Sequence, residues 1–231
     1  MGEPFDVNFV FSVKELENDK VKLTPFIPSI YADEWFAATK DHPELWNGLT
    51  WGPFATAEEF VKIVIEGRAQ SNPEALLFVV LDKTKPTPEG MYPLAACIGF
   101  LNTSRENLST EIGMVITLPA FQRTHVTSNG IGLLLHYCLD VPNEGGLGLR
   151  RVQWQCNTLN ETSRRAAERM GFKFERIERW QRVVPSSREG PLPREGDPRP
   201  DYRGRHSVIL SVCWDDWDEV KEVVRKQMDR T

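Results

Sequence analysis

The succession of strand-like and helical segments predicts an α/β fold, with a mixed, mostly antiparallel central sheet flanked by helices. Two patterns carry that prediction. In the first half, short β-branched and aromatic runs follow one another through turn residues, as antiparallel hairpins do. In the second half, strands alternate with amphipathic stretches, the order of a β-α-β-α crossover. Size and composition agree, since 231 residues with 40% hydrophobic and 26% charged side chains can bury a sizeable core without disulfides or metals.

The elements follow in order. VKLTPF (residues 21–26) reads as a first strand, and residues 30–40 as a helix after Pro28 and Ser29. Residues 41–54 (DHPELWNGLTWGPF) form a turn region rich in Pro, Gly and Trp. A second helix spans 56–69, with Thr56 as N-cap and Glu59 completing a capping box. Residues 76–81, 94–101 and 110–117 are strands by their apolar, β-branched content. A helix over 127–141 places Ile131, Leu134, Leu135, Cys138 and Leu139 on one stripe. RVQWQC (151–156) alternates as a strand, and a short helix follows over 160–170, capped by Asn160 and stopped by Gly171. Two late strands (172–184 and 206–213) and a last helix (216–228) end the chain. The intervening VPSSREGPLPREGDPRPDYRGR (184–205) reads as a long surface loop within a single domain spanning 1–231, because the strand after it needs a sheet to join.

Charge and cysteines narrow the function. A formal net charge of -5 argues against a general nucleic-acid binder, which carries a basic footprint. Cys97, Cys138, Cys156 and Cys213 sit in apolar runs without metal-like spacing, so they read as reduced, packed thiols and no metal is expected. Residues 1–10 carry acidic residues and no cationic leader, and no apolar run reaches the length of a membrane span. A cytoplasmic protein, monomer or homodimer, without membrane or nucleic-acid partner, is the expectation.

The chemistry concentrates in two stretches. In EIGMVITLPAFQRTHVTSNGIGLLL (111–135) a strand ends, a proline turn follows, and a polar loop enters a helix amino terminus. Such a junction gathers free backbone N–H groups at the positive end of a helix dipole, a ready site for phosphate. By itself this is a weak signal, because every such junction has a helix amino terminus. The second stretch is RRVQWQCNTLNETSRRAAERMGFKFERIERW (150–180). Its N-x-x-S opening of a short helix, then E-R-x-G-F-x-x-E, resembles the carboxyl half of RimJ/RimL-type acetyltransferases of the GNAT superfamily. Asn160, Ser163, Glu168, Arg169, Gly171, Phe172 and Glu175 match that pattern. Upstream, EIGM-x-x-x-x-P is similar to the family's central strand, and the resemblance extends over roughly residues 20–218.

The resemblance implies a GNAT fold, acetyl-CoA as acyl donor and an amine acceptor. It implies that backbone amides of the loop Gln122, Arg123, Thr124, His125, Val126 and Thr127 hold the CoA pyrophosphate. It also implies that the strand at Val115 and Ile116 pairs with pantetheine and that a backbone N–H there polarises the thioester carbonyl. Asn160 would contact the pantetheine or acyl carbonyl, although it also serves as a plain N-cap. Ser163 is a candidate donor to the departing thiolate, although a hydroxyl in a first helical turn is often structural. Glu111 is the candidate general base, because an ammonium must lose a proton before it attacks; otherwise it is a solvated edge carboxylate.

One departure stands out. The family's loop carries small residues where this chain has His125 and Thr127, and glycine there lets backbone approach phosphate closely. Either the loop keeps its shape with these side chains outward, His125 and Arg123 adding phosphate contacts, or pyrophosphate binding weakens. The intact framework favours the first. The second would make the chain a catalytically silent CoA-binding or interaction protein. His136 is expected to be solvated, and Trp35, Trp46 and Trp51 to be core packing or aromatic walls for the acceptor.

Overall fold

The run Leu76–Asp82 is apolar through Leu81 because both faces of its strand are covered: Leu76, Phe78 and Val80 enter one hydrophobic cluster, Leu77 and Val79 another. A strand buried on both sides loses the polar alternation of a half-exposed one. The computed structural model that shows this describes residues 7–230; residues 1–6, which include most of the stretch read as lacking a leader, and residue 231 lie outside it.

In chain order the sheet contains β1 (Leu16–Glu17), β2 (Val21–Pro25), β3 (Leu76–Asp82), β4 (Leu94–Ser104), β5 (Ser109–Thr117), β6 (Arg151–Asn157), β7 (Lys173–Pro185) and β8 (Tyr202–Cys213). Its order is β1-β2-β3-β4-β5-β6-β8-β7, antiparallel at every pairing except the parallel β5/β6. The helices are α1 (Pro28–Thr39), α2 (Ala57–Phe60), α3 (His125–Leu139), α4 (Glu161–Arg169) and α5 (Trp217–Asp229). The first cluster holds Leu134, Leu135 and Cys138 of α3, Ala167 of α4 and Val220 and Val224 of α5. The second holds Trp35 of α1, Phe60 of α2 and Trp46 of the turn region between them. The mixed, mostly antiparallel sheet flanked by helices is as the sequence predicts.

Boundaries move for local reasons. Pro28 opens α1 at its first position, where a missing N–H costs nothing. After one α-turn, α2 continues as a π-helix over Val61–Gln70, a winding that leaves no simple 3.6-residue signature. Thr56 is the N-cap as expected and accepts from the Glu59 N–H at 3.1 Å, but the Glu59 carboxylate takes the Ala55 N–H at 2.6 Å and not that of Thr56, so the return bond of the capping box falls one residue earlier. The helix expected over 127–141 lies two residues earlier, because Thr124 is its N-cap and Pro142 holds Val141 extended. Tyr202–Arg205 carry no apolar alternation, yet they pair with Val183–Pro185 and Arg182 and lengthen β8. The Pro- and Arg-rich loop therefore narrows to residues 186–201. Asn160 caps α4 through its side chain and Gly171 ends it with φ +87°. The four cysteines are free, three of them buried.

Candidate active site

The site begins with an irregularity in β5. Gly113 is opposite Gly99 and Ile116 is opposite Cys97, so Met114 and Val115 together face Ile98 alone. This is a β-bulge, and Met114 adopts φ +54°, a conformation that costs an L-residue roughly 1–2 kcal/mol. The bulge reverses the facing of the strand. Ile112 packs in the cluster of α3 and α5, whereas Met114 and Ile116 pack in that of α1 and α2. In an uninterrupted strand all three would share one face. Gly99 makes room: a Cβ there would overlap the Leu76 carbonyl oxygen and lie 2.6 Å from Met114 Cε.

The bulge also parts two strands. The parallel pairing of β5 with β6 stops at Ile112↔Trp154, although β5 continues to Thr117 and β6 to Asn157. Beyond that point their facing edges diverge, leaving main-chain groups of β5 free to pair with an extended ligand. A cleft of about 1950 Å³ occupies the divergence, reaching Val115 and Ile116 on one wall and Asn157 and Asn160 on the other.

One end of the cleft is the amino terminus of α3. Gln122, Arg123, Thr124, His125 and Thr127 line it. The left-handed residue of the loop is Arg123, with φ +62°, while His125 and Thr127 lie in the first helical turn. Glycine's conformational freedom is therefore not needed at either replaced position. Their side chains have their own anchors, the Thr127 hydroxyl on Thr117 Oγ1 at 2.7 Å and His125 Nε2 on Asp82 Oδ1 at 3.1 Å. The His125 ring thus faces Asp82 at the end of β3 through Nε2, while the residue lines the cleft. The Val126 side chain is fully buried and its N–H is directed at Thr124 Oγ1, 3.4 Å away. The remaining amides of this turn keep the free N–H groups of a helix start.

Across the divergence, Asn160 Oδ1 accepts the Ser163 N–H at 3.0 Å, leaving its NH2 group uncommitted by the cap. Gly48 abuts it so closely that a Cβ would overlap Asn160 Nδ2. Ser163 Oγ accepts from Trp154 Nε1 at 3.1 Å, so its own proton stays available to donate. Both residues line the cleft.

Glu111 lies three residues before Met114 and is only 6% exposed. Its Oε2 accepts from Asn102 Nδ2 at 3.0 Å and from Gln153 Nε2 at 3.1 Å. Burial raises its pKa above the ordinary carboxylate value, and these two hydrogen bonds offset part of the rise. A carboxyl group tuned upward in a cleft suits proton transfer nearer neutral pH. The alternative of a solvated edge residue is excluded by its burial.

Further residues escaped the sequence reading. Asn102, at φ +51° in a second irregularity of β4, looked like an ordinary strand end. Arg182 and Arg205 line the cleft as directly paired residues of β7 and β8. Arg188 of the 186–201 loop donates to Asn47 Oδ1 at 2.9 Å and Gly52 O at 2.6 Å, fastening that loop to the turn region. Neither relation has a local sequence signal. Trp35 and Trp46 are core residues, whereas Trp51 reaches the cleft. His136 is paired with Asp140 at 2.8 Å, and so is only partly solvated. Cys213, Asp215 and Asp216 bring three potential metal-ligand atoms within 4.8 Å of one another, and none of them lines the cleft.

Comparison with known proteins agrees with this geometry. The family model described as an acetyltransferase (GNAT) domain matches residues 20–173. A GCN5-related N-acetyltransferase from Brucella melitensis is similar at 29% identity, with a TM-score of 0.73, over 93% of this chain and 85% of that one. A probable GNAT-family acetyltransferase from Chromobacterium violaceum is similar at 26% identity, with a TM-score of 0.70, over 88% of each chain. The microcin C7 self-immunity acetyltransferase, solved with acetyl-CoA and AMP, shares the fold at 18% identity, with a TM-score of 0.61, over 85% of this chain and 93% of that one. No curated protein matches.

Proposed function

This chain belongs to the GNAT acetyltransferase family, the acyl-CoA-dependent N-acetyltransferases, and we propose that it moves an acetyl group from acetyl-CoA to a primary amine by direct attack in a ternary complex. The observation that carries the reading is the divergence of β5 from β6 at the Met114–Val115 bulge. It joins a strand edge fit for pantetheine to a helix start fit for pyrophosphate, with a buried carboxylate beside it.

In this reading the amides at the start of α3 hold the pyrophosphate, and Val115 and Ile116 present backbone to the pantetheine. A β5 N–H stabilises the oxyanion as the amine nitrogen bonds to the thioester carbon. Glu111 accepts the ammonium proton, through water, before that bond forms. When the tetrahedral intermediate collapses, the C–S bond breaks and sulfur leaves as thiolate; Ser163 gives its proton to the sulfur and is reprotonated by the second proton that the nitrogen sheds as the neutral amide forms. Asn160 uses its free amide on the donor while its oxygen keeps α4 capped. No enzyme nucleophile is needed: the buried Cys156 thiol is pushed up in pKa by desolvation, away from a reactive thiolate.

The test is release of free CoA thiol from acetyl-CoA in the presence of a panel of primary amines, beside calorimetry with desulfo-CoA. Amine-dependent thiol release is expected. Desulfo-CoA binding with no turnover on any amine would instead make the chain a CoA-binding relative without catalysis.

A further inference from the structure

The cleft as a whole has an electrostatic character opposite to that of the whole protein. The chain carries 28 Lys and Arg against 33 Asp and Glu. The cleft is lined by seven arginines and three glutamates, with no lysine or aspartate. Some of that positive charge flanks the α3 amino terminus, where Arg123 lies beside the donor phosphates of the reading above. Arg205 and Arg182 are among those that do not belong to that end. Arg205 sits near Gly48, its Nη1 3.4 Å from the Gly48 carbonyl, and Arg182 is its cross-strand partner in register.

This pair is costly as built. Like charges directly opposite one another on neighbouring strands repel. Arg205 is 7% exposed and its Nε has no hydrogen-bond partner. Burial and the charge of Arg182 both push its pKa down. Among the described residues neither arginine has an ion pair, although Glu175 shows how readily the same strand forms one, with Arg151. Glu111, whose charge acts on both, spends its hydrogen bonds on Asn102 and Gln153. A buried guanidinium with a free donor and a second one opposite form a fork without its anion.

We propose that the acceptor amine carries an anionic group, a carboxylate or a phosphate, and that Arg205 and Arg182 bind it. Arg205 supplies the buried anchor and Arg182, on the exposed edge strand, closes the fork. Arg188 acts differently: its donors hold the 186–201 loop against the turn region, so it shapes the mouth and does not contact the anion. An anion held there also sets the amine end of the acceptor towards Glu111, whose carboxylate is on the same side of β5. The inference rests on the acetyl-transfer reading only for its kinetic readout.

The test uses matched acceptors: 2-aminoethyl phosphate against 2-aminoethanol, and β-alanine against β-alaninamide. In at least one pair kcat/KM should favour the anionic member by about tenfold or more. The favoured pair tells phosphate from carboxylate. Arg182→Gln and Arg205→Gln should bring that ratio towards one, chiefly through KM. Circular dichroism checks folding, and Arg182, being exposed, carries the test if Arg205→Gln does not fold. Preference for the neutral member in both pairs, or a ratio that survives Arg182→Gln, overturns the proposal. So does a tenfold loss of desulfo-CoA affinity in Arg182→Gln, which would assign the arginines to the donor. If no amine turns over, calorimetry of 2-aminoethyl phosphate and β-alanine with the desulfo-CoA complex decides. Binding that Arg182→Gln abolishes sustains the anion site, and no binding of either overturns it.

Discussion

The two ends of the cleft recognise their ligands by different means. At the α3 end the available groups are main-chain amides and a diverging strand edge, and the side chains of His125 and Thr127 turn away to Asp82 and Thr117. At the other end the available groups are side chains: Glu111, Asn102, Arg182 and Arg205, on strands, and Trp51, on an irregular segment. Main-chain recognition tolerates substitution as long as φ and ψ are kept, which is why two residues larger than glycine fit the loop. Side-chain recognition tolerates little. The donor end should therefore withstand mutation better than the acceptor end.

The largest expected effect is at Glu111. Glu111→Gln should lower kcat by about 10²–10⁴-fold, the usual worth of a general base, because the amide keeps the hydrogen bonds but takes no proton. The wild-type rate should fall as pH drops through the raised pKa of this group, since the base must be ionised. That limb should lie above the ordinary carboxylate range, and its persistence in Glu111→Gln would show that another group is titrating.

Asn160→Ala is intermediate. Loss of the cap should cost about 1 kcal/mol of stability, read by denaturant midpoint, with weaker desulfo-CoA binding beyond that. A stability loss with unchanged desulfo-CoA affinity would reduce Asn160 to a cap and remove it from the donor end.

The smallest effect sharpens the comparison most. His125→Gly restores the small residue common in the resembling family, yet desulfo-CoA affinity should change by no more than about threefold, because the backbone there is already helical. Stability should fall by about 1–3 kcal/mol as the buried Asp82 loses a partner. A large gain in affinity would mean that the histidine obstructs the phosphate site and that the main chain alone does not govern it.

The same contrast explains what could be read from sequence. β3 through β6, α3 and α4 were legible because periodicity and caps are local: Asn160 and Gly171 bracket α4 by their own chemistry. The loop 122–127 was legible for the same reason. The bulge was not, because its special residue is a methionine and nothing in GMVI distinguishes Met114 from an ordinary strand position. Asn102, the Arg182–Arg205 pair and the reach of Arg188 to Gly52 are matters of register between segments far apart in the chain. A two-residue strand such as β1 is too short to leave a pattern at all.

The bulge has one more consequence, for the lengths of chain that this fold can accept. Because β5 changes faces between Ile112 and Met114, the spacing from Glu111 to Thr117 is itself part of the machinery. Loops such as 186–201 can gain or lose residues at small entropic expense. Within β5 a single deletion at the bulge would restore an unbroken alternation with Ile112 and Ile116 still on opposite faces, so the packing would survive while the extra residue that parts β5 from β6 would be lost. Insertions and deletions, which ordinarily spare secondary structure for reasons of packing, are excluded from this strand by the site as well.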